Sequence, residues 1–185
     1  MATTESSSLM TAEQYALHPN SGRPTELVRG RIIEMNVPYP RHGQVCGAAF
    51  EILNSFAKSH DLGHVLSNDS GVITERNPDS VRGADVAFYS FSRVSRGRLP
   101  QGYLSISPEI VIEVRSEFDR WSKLFAKASE YLDAGVVVVC LLDPDNDTIY
   151  VVRADPPPVK LGPDDELTLP ELHDSFHVPV RQFFE

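Results

Sequence analysis

The chain has 185 residues, 41% of them hydrophobic and 23% charged, and a formal net charge of −9. This length fits one domain with a substantial core. The negative charge excludes a strong, non-specific electrostatic grip on nucleic acid, but it is compatible with an enzyme that uses a metal ion and a local basic patch. The longest apolar run, residues 136–142, is too short to span a bilayer, so we expect no membrane contact.

The N-terminal part predicts a tail, a short helix and two strands. Residues 1–9 are polar and lack the basic start and apolar run of a signal peptide, so we interpret them as a disordered tail. Thr11 and Gln14 have the spacing of a capping box, which predicts a short helix. Residues 26–35 then predict two short strands around Gly30.

The middle of the chain predicts one long helix followed by three strands. Apolar residues recur at helical spacing from about residue 42 to residue 60, and Gly63 stands where the helix is expected to stop. Strands are predicted around residues 71–74, from Asp85 onward, and over residues 110–114.

The C-terminal half predicts a second helix, a buried strand and a hairpin. Residues 120–134 carry an apolar stripe at helical spacing, and Gly135 follows as a stop. The apolar run at 136–142 is typical of a strand covered on both faces, and residues 148–152 are expected to pair back on it. Together the elements predict an α/β fold, a mixed sheet flanked by helices, in one domain over residues 10–185.

The two cysteines bear on the cellular compartment that the sequence predicts. Cys46 lies in the first long helix and Cys140 in the buried strand, and neither belongs to a metal-ligand pattern. We interpret both as small core residues that stay reduced, and we therefore expect a cytoplasmic protein.

Two acidic residues on strand-like segments are the first candidates for chemistry. A carboxylate in an apolar strand is costly to bury without a partner. Alternation places Glu113 on one face with Val111 and Arg115, so its carboxylate faces a cleft or a counter-charge. Asp85 and Glu113, with a nearby cation, suit a divalent metal site for phosphodiester hydrolysis. The alternative is a salt bridge between Glu113 and an arginine, with Asp85 as a strand-end residue.

Three further residues extend this set. Lys127 lies at the edge of the apolar stripe of its helix, from which an inward-leaning ammonium would hold a phosphate or an attacking water. A snorkelling lysine is the favoured alternative when Lys127 is considered alone. Glu26 is either another carboxylate of the metal site or a surface acid. Arg115 is expected to pair with Glu113 or with a substrate phosphate.

A loop over residues 91–102 carries a modest group of basic side chains. A solvated loop is the default interpretation, and contact with substrate phosphates is the functional alternative. The residues concerned are Arg93, Arg96 and Arg98.

Short motifs follow one another in a specific order along the chain, although each is weak alone. They are residues 10–15 (MTAEQY), 26–30 (ELVRG), 40–43 (PRHG), 82–88 (RGADVAF), 108–114 (PEIVIEV), Lys127 with 131–136 (YLDAGV), and 142–144 (LDP). Over about residues 10–184 this arrangement resembles the Uma family of restriction-endonuclease-like proteins, in the PD-(D/E)XK nuclease superfamily.

The resemblance implies a restriction-endonuclease-like mixed sheet and a divalent metal, Mg²⁺ or Mn²⁺. Asp85 and Glu113 take the family's metal-ligand positions, and the carbonyl of Val114 is expected to add a ligand. Glu26 takes the position of a helper acid near the sheet. Lys127 matches a lysine that this group carries on the following helix.

Two positions complete the set of candidate substrate contacts. Arg115 occupies the strand position where a lysine is usual, and because arginine stays protonated it cannot act as a base, although it can bind phosphate. His42 lies in a shared motif and has no assigned role.

These residues support three hypotheses. The leading one is a Mg²⁺-dependent endonuclease that hydrolyses phosphodiester bonds in DNA with a metal-activated water. The second is a non-catalytic DNA- or protein-binding module that retains a nuclease fold, which the negative net charge motivates. The third is a structural or dimerisation domain whose buried acids form only ion pairs, so a homodimer is one expected form of assembly.

Overall fold

The computed structural model describes residues 9–19 and 22–185. The predicted tail, residues 1–9, lies outside the described residues except for Leu9. Within those ranges no helix is long and apolar enough to cross a membrane. The architecture is mixed α/β in a single domain, as the sequence predicts.

Two long helices, α2 and α3, are separated along the chain by three strands. From the N-terminus, the described residues form α1 (Ala12–Ala16), β1 (Thr25–Val28), β2 (Arg31–Glu34), α2 (Pro40–Ser59), β3 (Gly63–Glu75), β4 (Ser80–Ser90), β5 (Ile110–Val114), α3 (Trp121–Asp133), β6 (Val138–Asp143), β7 (Thr148–Val152), β8 (Val159–Leu161), β9 (Glu166–Thr168), β10 (His177–Pro179) and a 3-10 helix (Val180–Phe183).

The described strands form one large mixed sheet and a small separate ribbon of β9 and β10. In the large sheet the order is β2-β1-β4-β5-β6-β7-β8, and β3 pairs with β4 outside this path. β5 and β6 pair in parallel, whereas the other pairs are antiparallel. Because a parallel pair needs a crossover, α3 connects β5 to β6 and lies against the sheet.

Helices cover the two faces of the sheet. On one face α2 packs its buried residues, among them Val45 and Leu53, against Ile110 and Ile112 of β5. On the other face α3 packs Leu124, Ala128 and Tyr131 with Val111 and strand residues of β4 and β6. The alternation predicted for β5 is therefore confirmed, and it sends Glu113 toward α3 rather than toward α2.

Several local predictions hold and others need correction. The capping box of Thr11 and Gln14 is present. The long helix begins at Pro40, two residues before the predicted start, because proline suits the first helical turn. Gly63 is not its stop: Asp61 takes the left-handed conformation (φ 53°), while Gly63 begins β3. A Cβ on Gly63 would lie 2.2 Å from the Tyr89 carbonyl oxygen, so close strand approach explains the glycine.

Two strands are longer than the sequence pattern predicts. β3 has 13 residues rather than the few around Gly71, and β4 has 11 residues, so Asp85 lies in the middle of β4 rather than at its start. The extra length in β3 is mostly polar and partly exposed, with only Val65 and Leu66 apolar, so it shows no apolar alternation. As a result, Asp85 faces neighbours from several elements at once.

Candidate active site

The site lies where β4 and β5 separate. Their pairing runs from Phe88 with Ile110 to Val86 with Ile112. One residue further on, this register brings Asp85 beside Glu113. The backbone N–H of Val114 donates to Asp85 Oδ2 at 2.7 Å, so the aspartate side chain takes the place of the next strand hydrogen bond. Two carboxylates thus stand side by side at the end of a rigid strand pair.

Lys127 of α3 reaches into this position. Its Nζ lies 2.8 Å from Glu113 Oε2, 3.0 Å from Glu26 Oε1 and 2.9 Å from the Gly83 carbonyl oxygen, so its three N–H donors all have acceptors. The snorkelling alternative is therefore wrong. The hydroxyl of Tyr131, one turn later on α3, donates to the other Glu113 oxygen at 2.8 Å.

Glu26 is held from β1 on the same side of the sheet. Its side chain is only 5% exposed, which rules out the surface-acid alternative. Arg82 Nη1 donates to Glu26 Oε2 at 2.8 Å, and the N–H of Gly83 donates to Oε1 at 3.1 Å. Arg82 also forms a two-point pair with Glu130 of α3. The guanidinium therefore fixes the carboxylate that faces Lys127.

His42 approaches the other side of Asp85 from the first turn of α2. Its Nε2 lies 3.6 Å from Asp85 Oδ2. Cys46, one helical turn later, places its Sγ 3.4 Å from His42 Nδ1. Sequence patterns assign His42 no role, whereas the structure puts it against Asp85, one of the three expected metal ligands.

The charges of these groups are strongly coupled. Burial opposes ionisation of Asp85, but the hydrogen bond and positive charge of His42 hold its pKa below the usual value. Burial, reinforced by the charge of Asp85, raises the pKa of Glu113 to about 8. Burial opposes the charge of Lys127, but Glu113 and Glu26 raise its pKa well above normal. Lys127 therefore stays protonated at neutral pH.

Asp69 of β3 belongs to the same group, although sequence patterns do not single it out. Burial of its carboxyl group, together with the negative charge of Asp85, raises its pKa, while Lys127 and His42 oppose that shift. It sits at an irregularity of the β3–β4 register with φ 54°, and a Cβ on Gly83 would lie 3.0 Å from its own Cβ. The polar pair Asn68-Asp69 inside a strand was the available signal.

Arg115 is placed beside the site but is engaged elsewhere. Its Nη1 donates to Asp143 at 3.0 Å and to Asp145 at 2.7 Å, and its guanidinium lies 5.3 Å from the ring centre of Trp121. The expected pairing of Arg115 with Glu113 is therefore wrong, and so is the alternative of a Glu113–arginine salt bridge. Contact between Arg115 and a phosphate stays a prediction.

The arginine loop lies at the opposite end of β4 and β5. Ser90, at its start, is five residues from Asp85, or about 17 Å along a strand. Arg93 pairs with Glu109 and donates to the Ser107 carbonyl, Arg96 pairs with Asp61, and Arg98 is exposed. The structure does not bring these residues to the carboxylates.

The arrangement suits a divalent cation held by oxygen ligands. Asp85, Glu113 and the carbonyl of Val114 would hold it, because they converge at the strand ends. The residues fit: Lys127 lies against Glu113 and His42 lies against Asp85, so positive charge is already favoured at this point. Asp85 and Glu113 can bind a metal ion while Lys127, a fixed cation beside them, binds a phosphate.

Comparisons with known proteins agree with the fold. Residues 12–181 match the model of the Uma2 family, whose description is "Putative restriction endonuclease". The crystal structure of a "putative nuclease belonging to DUF820" from Anabaena variabilis superposes with a TM-score of 0.82 at 21% identity, covering 95% of this chain and 97% of that chain. A search of the curated proteins gives no match.

Proposed function

We propose that this chain, which belongs to the Uma2 family of restriction-endonuclease-like proteins, is a Mg²⁺-dependent endonuclease that hydrolyses phosphodiester bonds in DNA. One observation carries the proposal. Lys127 bridges Glu113 and Glu26 beside Asp85, on elements from four parts of the chain. A purely structural ion pair needs one acid and one base, whereas this cluster gathers more acids than bases around one point.

The protein's own residues would have separate tasks. Asp85, Glu113 and the Val114 carbonyl would hold Mg²⁺ or Mn²⁺, which when bound lowers the pKa of a coordinated water and stabilises the charge of the transition state. Glu26 would act through Lys127, whose ammonium it orients.

Lys127 would act by charge rather than as a base. Its pKa is raised by Glu113 and Glu26 against the effect of burial, so it holds its proton at neutral pH. A phosphate oxygen that replaced one of its acceptors would receive a charge-assisted hydrogen bond from a donor that is already in position. The acids fix the ammonium before substrate arrives, which reduces the reorganisation needed for reaction.

The direct test is a cleavage assay on plasmid, single-stranded and branched DNA. We expect wild type to cleave at least one of these with Mg²⁺ or Mn²⁺ and to lose activity in EDTA. Glu113→Gln, run in parallel, should be inactive because it removes one ligand charge at nearly constant volume. Equal cleavage by wild type and Glu113→Gln would refute the proposal, since the activity would then come from elsewhere.

A non-catalytic binding module is the second candidate, and one observation favours it. Lys127 and His42 already give Glu113 and Asp85 positively charged or polar partners within the protein. Calorimetric titration with Mg²⁺ and Mn²⁺ separates the two functions. Binding by wild type that is lost in Asp85→Ala supports the nuclease, whereas no binding by either protein supports the module.

The partners follow from the same proposal. DNA would be the substrate, and the reduced state of Cys46 and Cys140 is consistent with a cytoplasmic location. A homodimer stays a prediction, which light scattering on the purified chain would test.

A further inference from the structure

The N-terminal turn of α2 brings a thiol, an imidazole and a carboxylate to one point. His42 and Cys46 are four residues apart, so they lie on the same face of the helix, toward Asp85 of β4. One ligand atom from each residue lies within 4.8 Å of the other two. Nothing in the DNA-cleavage proposal uses Cys46, and sulfur is a poor ligand for Mg²⁺.

We propose that His42, Cys46 and Asp85 form a site for a borderline transition-metal ion such as Zn²⁺, which shares Asp85 with the Mg²⁺ position. The donor set of one nitrogen, one sulfur and one carboxylate oxygen is typical of Zn²⁺ coordination. Three protein ligands leave a fourth tetrahedral position for water. On binding, the Cys46 thiol gives its proton to solvent and the thiolate bonds the metal.

The His42–Asp85 edge already has the length that this coordination needs. Tetrahedral Zn²⁺ with bonds of about 2.1 Å to nitrogen and oxygen and about 2.3 Å to sulfur has ligand-to-ligand distances of about 3.4–3.6 Å. His42 Nε2 lies 3.6 Å from Asp85 Oδ2 and 4.0 Å from Cys46 Sγ. Cys46 Sγ lies closer to His42 Nδ1, at 3.4 Å, than to Nε2, so a rotation of the Cys46 side chain must carry the sulfur toward Nε2 to complete the geometry.

The neighbours of the three ligands favour selectivity for such an ion. The side chains of His42 and Asp85 are 13% and 11% exposed, so an ion must give up most of its water to enter. Mg²⁺ prefers oxygen ligands alone, whereas Zn²⁺ gains a thiolate and an imidazole here. The Val114 N–H donates to the same Asp85 oxygen and fixes its orientation.

Cobalt spectroscopy tests the site without any enzyme activity. The full chain, stripped of metal under reducing conditions, is titrated with Co²⁺, because a Co²⁺–thiolate bond gives a near-ultraviolet charge-transfer band. We expect a band with a stoichiometry of one, which Zn²⁺ abolishes by displacement. Cys46→Ala and His42→Ala should lose it, with circular dichroism verifying the fold. Cys140→Ala is the matched control, because Cys140 is buried in β6, and it should keep the band.

The outcomes decide the proposal. No band in folded wild type, or a band that survives in Cys46→Ala, would overturn it. Since the sharing of Asp85 rests on the proposed nuclease function, Zn²⁺ inhibition of Mg²⁺-dependent cleavage is measured separately. Cys46→Ala should then need at least about tenfold more Zn²⁺ for half-inhibition, as expected for the loss of a ligand. A band without any cleavage in wild type would refute the nuclease function and leave the zinc site standing.

Discussion

The two ends of the β4–β5 pair offer a comparison, because each buries a glutamate. At one end Glu109 accepts hydrogen bonds from the backbone and side chain of Ser90, and it forms an ion pair with Arg93. At the other end Glu113 accepts from Lys127 and Tyr131. Glu113 is the more deeply buried of the two, but both are well supplied with hydrogen bonds, so hydrogen bonding alone does not distinguish a functional acid from a structural one.

The surrounding charge distinguishes them. Glu109 and Arg93 form one acid with one base, which is a complete structural pair. Around Glu113 the carboxylates of Glu26, Asp69 and Asp85 gather as well, and burial, together with the negative charge of Asp85, raises the pKa values of Glu113 and Asp69. Carboxyl groups in excess of the nearby basic groups are costly to ionise unless a cation binds beside them, and this excess therefore distinguishes the end that we assign to metal binding.

Exchange of each glutamate for glutamine tests this comparison most strongly. Glu113→Gln should lower DNA cleavage by about 1,000-fold or more, because a metal ligand that stabilises transition-state charge supplies several kcal/mol. Glu109→Gln should keep cleavage within about threefold of wild type once folding is verified, since it lies outside the site. Initial rates on plasmid DNA with Mg²⁺ measure both. Equal losses in the two variants would show that the ends do not differ in function.

Loss of the Lys127 charge should have the next largest effect. Lys127→Met should reduce cleavage by about 100-fold, as expected for a charge that stabilises the transition state. It should also cost about 3–5 kcal/mol of stability, because Glu113 loses its basic partner, while Glu26 keeps Arg82. Rates are therefore measured where circular dichroism shows a folded variant. Lys123→Met, on the exposed side of α3, is the matched control and should change neither property.

Restoration of the charge separates the electrostatic role of Lys127 from packing. Lys127→Arg should recover part of the activity lost in Lys127→Met, because guanidinium keeps the charge but not the geometry. A methionine variant as active as wild type would reassign Lys127 to packing, and Arg115 would then become the candidate cation.

The pH dependence of stability should also differ between the two glutamates. In the unfolded chain Glu113 loses its proton near its ordinary pKa of 4.5, whereas in the folded, metal-free protein its pKa is about 8. Between these values the folded state holds the extra proton, so the free energy of unfolding falls as pH rises from about 4.5 to 8. Urea unfolding in EDTA should therefore show a decline of a few kcal/mol across this range.

Variants show which glutamate causes this decline. Glu113→Gln should flatten the pH dependence, because glutamine does not titrate. Glu109→Gln should keep the wild-type slope while lowering stability at every pH. A slope that persists in Glu113→Gln would place the titrating group elsewhere, with Asp69 the next candidate.

The sequence predicts those features of the site that depend on local hydrophobic periodicity. The alternation of β5 gives the face of Glu113. The stripe of α3 places Lys127 only at its edge and alone favours a snorkelling lysine, so the inward position rests on the family resemblance. Cys46, Asp69 and Arg82 could not be predicted in this way, because their roles depend on where α2, the β3 irregularity and β4 meet. The fold class follows from element order, whereas the β3 length and the partners of Arg115 depend on contacts between distant residues.

The smallest expected effect concerns the arginine loop at the Glu109 end. If this end contacts DNA at all, it does so through phosphates about 17 Å from the carboxylates, a distance that a bound duplex readily spans. Each lost phosphate contact should lower the slope of log affinity against log salt by about one, with an affinity loss below about tenfold. Fluorescence anisotropy with labelled DNA, in metal-free buffer, measures both quantities.

Arg98→Ala is the most informative variant because Arg98 is exposed, whereas Arg93 is held by Glu109 and the Ser107 carbonyl. Lys160→Ala, at an exposed position of β8, is the control for a change of one positive charge far from this loop. A reduced salt slope in Arg98→Ala but not in Lys160→Ala would assign DNA positioning to the Glu109 end and chemistry to the Glu113 end. Identical slopes in both variants and wild type would show that the loop is solvated and does not contact DNA.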